Sequence, residues 1–264
     1  SAFDPFEPPP EQSDPSKGTC YYYIGLKIPA SSNGELKTFR QLQGECLSAL
    51  GLCMSDSRKT ERWHNAILAL ESDENFADMG LPSLIQLSGQ DAQNAASALI
   101  SRMSSGHAVV LLTITKLVAM VEEKTLVILD EPESHLHPPL LSAFLRALSA
   151  LLYDRNGVAI IATHSPVVLQ EIPTSCAWKI NRSRLILDSR RPEIQTFGEN
   201  VGVLTREVFG LEVGKSGFHR LLESAVQGGG TFEDIMAEFD HQLGFEAQAI
   251  LRAMVAYRNS RGGN

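Results

Sequence analysis

The sequence predicts an α/β fold built around one parallel βαβ unit, and three observations carry that expectation. Residues Thr125 to Asp130 (TLVILD) and Val158 to Thr163 (VAIIAT) are short, nearly continuous apolar runs, the pattern of strands covered on both faces in a parallel sheet. Between them Leu141, Phe144, Leu145, Leu148, Leu151 and Leu152 recur as the stripe of a crossover helix, with Pro138 and Pro139 suited to its first turn and Asn156-Gly157 ending it. A chain of 264 residues with 43% hydrophobic content has core enough for one sizeable α/β domain or two small ones.

The elements follow in order. Residues 1–18 are rich in proline and acidic side chains and read as a connector. Thr19 to Ile28 (TCYYYIGLKI) is β-branched and aromatic enough for a strand. Glu35 to Glu71 holds two amphipathic helical stretches separated near Ser55-Asp56-Ser57, and the helical subdomain continues to Ile100, so 19–106 forms one segment. A helix is expected from His107 to Val121 with one buried face, opening a lobe over 107–200 that contains the βαβ unit. Ala177 to Ile180 and Leu185 to Leu187 flank Asn181-Arg182-Ser183 as a hairpin. The region 201–264 is helical, with Gly228-Gly229-Gly230 setting off a C-terminal helical pair.

Composition narrows the function. Lys+Arg 23 against Asp+Glu 31 gives a net charge of -8, which argues against a general binder of phosphate backbones. No apolar run reaches the roughly eighteen residues of a spanning helix, so no membrane is expected. Cys20, Cys46, Cys53 and Cys176 show no paired spacing, which favours a reducing compartment and a cytoplasmic location. The chain opens at Ser1 without a methionine or a signal-like stretch, and so reads as a partial polypeptide.

In an open parallel sheet, ligands collect outside the carboxyl ends of the strands. The first apolar run releases Asp130, Glu131, Pro132 and Glu133, and the second releases His164, Ser165 and Pro166. An aspartate at such an end can hold Mg²⁺, an adjacent glutamate can orient and deprotonate an attacking water, and a nearby histidine can hydrogen-bond a terminal phosphate. Singly, these residues are ordinary caps; their ordered conjunction with a Ser-Ser-Gly helix start upstream points to chemistry.

LVILDEPESHLHP followed by IIATHSP resembles the second half of an ATP-binding-cassette ATPase of the SMC/RecF-like type. The resemblance implies a cassette-ATPase-like lobe with a helical signature subdomain, binding ATP and Mg²⁺. It makes Leu126 to Asp130 the Walker B strand, with Asp130 at the metal, Glu131 the catalytic glutamate and His164 the switch histidine. Ser134 to His137 becomes the D-loop, with Ser134 and His135 near nucleotide. Its SHLH departs from the SALD of transporters, so transport is not implied. The stretch FGENVGVLTREVFGLEV loosely resembles anti-phage defence ATPases of the Septu and retron-associated kind. His135, His137 and His164 read less well as a nuclease metal cluster.

Two stretches compete for the signature motif, LSGQ at Leu87 to Gln90 and MSSGH at Met103 to His107. Gly106 lies 24 residues before Asp130, room for one helix and a turn, whereas Gly89 lies 41 before it. The second is favoured, with Ser104, Ser105, Gly106 and His107 offering amides and hydroxyls at a helix start. In the family this motif touches nucleotide held by the opposite protomer, which implies a homodimer or higher homo-oligomer. No GxxxxGK[ST] loop occurs here; GLEVGKSG at Gly210 to Gly217 lacks the preceding glycine and reads as a loop. The expected protein is therefore the lobe after a phosphate-loop lobe, coupling ATP hydrolysis to DNA or a nuclease subunit. The rival is a non-hydrolysing scaffold that nucleotide gates.

Overall fold

The computed structural model describes residues 8–28, 35–134, 136–210 and 217–261. It contains two compact units, Ser1–Glu171 and Ile172–Asn264.

In the first unit, helix α1 (Phe39–Met54) starts at a reciprocal cap: the Thr38 side chain accepts from the Gln41 amide while the Gln41 side chain accepts from the Thr38 amide. Helix α2 (Ser57–Leu70) is capped by Asp56, which accepts from Lys59 N–H at 2.9 Å, so the break expected at Ser55-Asp56-Ser57 is present. A single turn α3 (Glu74–Ala77), a 3-10 turn at Leu81–Gln86 and helix α4 (Gly89–Ile100) complete the helical layer. Helix α5 (Ser105–Met120) is buried on more than the one face expected, since Val110, Leu111, Leu112, Ile114, Thr115, Leu117 and Val118 are all inside. Such a helix needs partners for its polar groups. Thr115 Oγ1 receives the Trp63 indole N–H at 3.0 Å, and Lys116 Nζ pairs with Glu45 Oε2 at 3.0 Å.

Strand β1 (Leu126–Asp130), helix α6 (Pro138–Asp154), strand β2 (Val158–Ala162) and the short helix α7 (Pro166–Gln170) follow. The two strands are parallel and in register from Leu126 opposite Val158 to Asp130 opposite Ala162, which makes residues 125–163 the expected βαβ unit. The stripe Leu141, Phe144, Leu145, Leu148, Leu151 and Leu152 is buried, and α6 packs on α2 and α5. Arg62 to Asp154 at 2.6 Å fastens α2 to the end of α6.

The expectation of a sheet covered on both faces is not met. Val127 is buried, but Leu126, Ile128, Val158 and Ile160 are 54%, 73%, 61% and 58% exposed. Among the described residues this sheet has two strands, and its second face carries no layer. Asp130 shares that bare face with Leu126 and Ile128 by strand alternation. The strand expected at Thr19 to Ile28 is also absent; only isolated bridges form there, Gln12 to Tyr21 and Lys27 to Leu36. β-propensity makes a strand only where a neighbouring strand supplies the ladder.

The second unit holds an antiparallel hairpin of β3 (Lys179–Ser183) and β4 (Ile186–Arg190). Its turn is Arg184-Leu185 rather than Asn181-Arg182-Ser183, because residues 181–183 are paired and Arg184 takes the φ of +53° that a two-residue connection favours. Helix α8 (Val201–Phe209) is capped by Asn200. Helices α9 (Phe218–Gly228), α10 (Phe232–Glu238) and α11 (Phe245–Arg261) share one core of Leu222, Val226, Ile235, Met236, Leu251 and Val255. The expected helical pair follows the glycines at 228–230 as α10 and α11, but it shares its core with α9, so the glycines join helices of one cluster; Gly229 and Gly230 both have positive φ.

Candidate functional site

The parallel register brings the two strand ends side by side. Glu131 N–H donates to Ala162 O at 2.8 Å, extending the ladder one step past β1 and aligning Glu131 with the residues before His164. Glu131 then turns sharply, with φ at +45°, and Ser134 N–H closes onto Glu131 O at 3.1 Å. The chain doubles back at once, so the carboxylates of 131 and 133 both stay at the end of the strand pair.

His164 Nδ1 lies 3.4 Å from Glu131 Oε1 and 3.3 Å from Glu133 Oε1. Asp130 sits one residue before this pair, exposed at the end of β1. The structure brings Glu131 and His164 within 3.4 Å of each other, with Asp130 adjacent in sequence at the end of β1. Ser134 stands in the turn that follows, and His135 lies outside the described residues.

Glu133, quoted in the motif but given no role, is the residue that the sequence reading missed. Its Oε1 accepts from Thr163 Oγ1 at 2.8 Å and from His164 N–H at 3.0 Å, and Thr163 Oγ1 in turn accepts from Ser165 N–H at 3.0 Å. Its Oε2 is buried and has no partner among the described residues. The signal was available: alternate positions 131 and 133 in DEPE both carry carboxylates at a strand end. Replacing Glu133 by alanine removes the acceptor for two donors of the 163–165 loop, each bond worth about 1 kcal/mol net and more because the acceptor is charged. The expected result is faster amide exchange at His164 and Ser165 with an unchanged melting temperature of the helical layer; unaltered exchange would take Glu133 out of this role.

The two signature candidates are both helix starts. Ser88 precedes α4 without a side-chain cap, and Gly89 has φ +57°. Ser104 caps α5 by accepting from His107 N–H, Ser105 is exposed and Gly106 is buried. The His107 ring is turned inward: Nδ1 is 2.5 Å from Ser104 Oγ and Nε2 is 3.1 Å from Asp73 Oδ1. Burial alone would raise the Asp73 carboxyl, but hydrogen bonds from His107 and the Phe76 amide, with the charges of His107 and His137, hold it below the ordinary range. The GKS of Gly210 to Gly217 falls within 211–216, outside the described residues. No helix among the described residues is long and apolar enough to cross a membrane.

Residues 52–170 match the model of the family described as "AAA domain, putative AbiEii toxin, Type IV TA system". That segment runs from the end of α1 through α7 and includes the strand-end cluster, and the match supports an ATPase domain of the AAA/ABC-like class on this α/β lobe. The chain is also similar to Protein ea59 of Escherichia phage lambda, 53% identical over 276 residues that take in 98% of this chain and 52% of that protein. The chain thus spans about half the length of the curated relative that it matches.

Proposed function

We propose that this chain is the hydrolytic lobe of an ATPase whose nucleotide is held between protomers in a head-to-tail homodimer or higher homo-oligomer. The observation that carries the reading is the meeting of Glu131 and His164 at adjacent strand ends beside Asp130. In the proposed site Glu131 takes a proton from the attacking water, and its carboxylate is held where the strand pair ends. His164, anchored through Nδ1 to Glu131 and Glu133, has Nε2 left to contact a terminal phosphate oxygen. Asp130 with the neighbouring carboxylates is a hard oxygen donor set suited to Mg²⁺, and the unpartnered Oε2 of Glu133 fits that chemistry. The ion, when bound, neutralises charge on the phosphates.

Phosphate cradling is assigned to a further lobe that carries a phosphate loop. The bare face with Leu126, Ile128, Val158 and Ile160 supports this, since a parallel sheet is normally covered on both faces, and so does the greater length of the lambda relative. The cytoplasm is the proposed location, and DNA or a nuclease subunit, in DNA maintenance or anti-phage defence, the proposed partner to which closure is coupled.

The test joins this chain to a phosphate-loop lobe and follows ATP-dependent dimerisation by sedimentation. ATP turnover is expected from the joined protein and not from the 264-residue chain; turnover by this chain alone, lost on Glu131→Gln, would remove the need for the second lobe. Ser105→Arg places a bulky side chain at the exposed start of α5, where a partner's nucleotide must approach amides, so the ATP-held dimer should be lost with monomer affinity nearly unchanged. Ser88→Arg, in an exposed turn, should be mild. The reverse pattern would move the signature to Leu87 to Gln90.

A further inference from the structure

Outside the strand-end cluster, three side chains from three helix starts converge. Asp73 is the cap of α3, His107 lies in the first turn of α5, and His137 is the cap of α6. Asp73 Oδ1 is 3.1 Å from His107 Nε2, and Asp73 Oδ2 is 3.3 Å from His137 Nε2. One donor atom from each residue lies within 4.8 Å of the other two. The Asp73 side chain is only 4% exposed and that of His107 8%, whereas His137 is 45% exposed, so the cluster is walled on the inside and reachable from one side.

We propose that Asp73, His107 and His137 form a binding site for a divalent transition cation of the Zn²⁺ class. Two imidazoles and one carboxylate are borderline donors that suit Zn²⁺ and its neighbours far better than Mg²⁺ or Ca²⁺. A tetrahedral ion with bonds of about 2.0–2.1 Å holds its ligand atoms roughly 3.3 Å apart; each imidazole already stands 3.1 or 3.3 Å from one Asp73 oxygen, and the three ligand atoms lie within 4.8 Å of one another, so small side-chain adjustments bring them to that spacing. Ligating histidines are normally oriented through the other ring nitrogen. His107 has that support, since its Nδ1 is held by Ser104 Oγ at 2.5 Å, and Asp73 is steadied by the Phe76 amide at 3.1 Å.

Without metal, the same atoms are joined by protons, each imidazole donating Nε2–H to one oxygen of Asp73. Binding at Nε2 shifts each of those protons to Nδ1 of its own ring, and on His107 that Nδ1–H then donates to Ser104 Oγ, with no proton released. On His137 the ring's single proton moves to Nδ1, which without metal accepts from Leu140 N–H at 3.4 Å, so binding costs one long cap bond at the start of α6. That cost is small beside several metal–ligand bonds, and it leaves a signature at Leu140. The ion would fasten α3 and the start of α5 to the start of α6.

The experiment uses the metal-stripped 264-residue chain, titrated with Zn²⁺ by calorimetry and with Co²⁺ by visible absorption. The expected result is one equivalent bound, a tetrahedral Co²⁺ spectrum and a shift of the Leu140 amide signal. His137→Asn keeps an acceptor that caps α6 but removes the imidazole; it should fold as well as the parent without metal and bind Zn²⁺ at least roughly tenfold more weakly. His241→Asn, remote in sequence from the cluster, should bind as the parent does. Less than one equivalent bound by the parent, or equal affinity in His137→Asn, would overturn the proposal.

Discussion

Glu131→Gln, made in a polypeptide that also carries the phosphate-loop lobe, is expected to slow ATP turnover by roughly 10²–10⁴, the usual contribution of a positioned general base. Glutamine keeps the size and the contact toward His164 but cannot take a proton from water. Nucleotide binding should survive, because the proposed role of Glu131 is with the attacking water and not with the base, ribose or phosphates. The ATP-held dimer should therefore accumulate in the variant and dissociate slowly. Turnover measured by phosphate release and dimer population by sedimentation separate the two effects. Unchanged turnover would remove Glu131 from the mechanism and leave the nucleotide-gated scaffold as the better account.

The largest loss of stability is expected at Trp63→Ala. Trp63 is 1% exposed, sits on α2 among Leu50, Ile67, Leu81 and Leu84 in the buried layer, and gives its indole N–H to Thr115 on α5. Truncation removes a large apolar group and opens a cavity between α2 and α5, which pack against each other. A cost of about 3–5 kcal/mol follows, against a typical total of about 5–15 kcal/mol. Trp63→Phe retains most of the volume and loses mainly the bond to Thr115, for about 1–3 kcal/mol. Urea unfolding of the two variants tests the order. A loss below about 1 kcal/mol for alanine would mean that the layer collapses around the gap.

The βαβ unit was legible because both of its periods are strong: two apolar runs bounded by turn residues, and an uninterrupted stripe from Leu141 to Leu152. The strand-end residues followed from the rule that places chemistry at the carboxyl ends. Other features depend on contacts that leave no local trace. Asp73 looks like an ordinary helix cap, and nothing at 73 announces His107 or His137, which packing alone brings to its two oxygens. The hairpin turn moved because pairing of Asn181 and Arg182 outweighed their turn propensity. The runs TLVILD and VAIIAT carry the pattern of strands covered on both sides, yet one face of the pair is exposed, because the pattern alone does not say what lies against each face.

The conformation at Glu131 sets stability against the proposed chemistry at one position. A glutamate with φ of +45° stands in the left-handed region, at a cost of about 1–2 kcal/mol that glycine would not bear and asparagine would bear in smaller part. Either replacement would relax the backbone and discard the carboxylate. Selection for heat tolerance alone would favour that exchange, whereas selection for turnover would oppose it. In a library of variants sorted separately for the two properties, position 131 should drift to glycine or asparagine under the first regime and stay glutamate under the second.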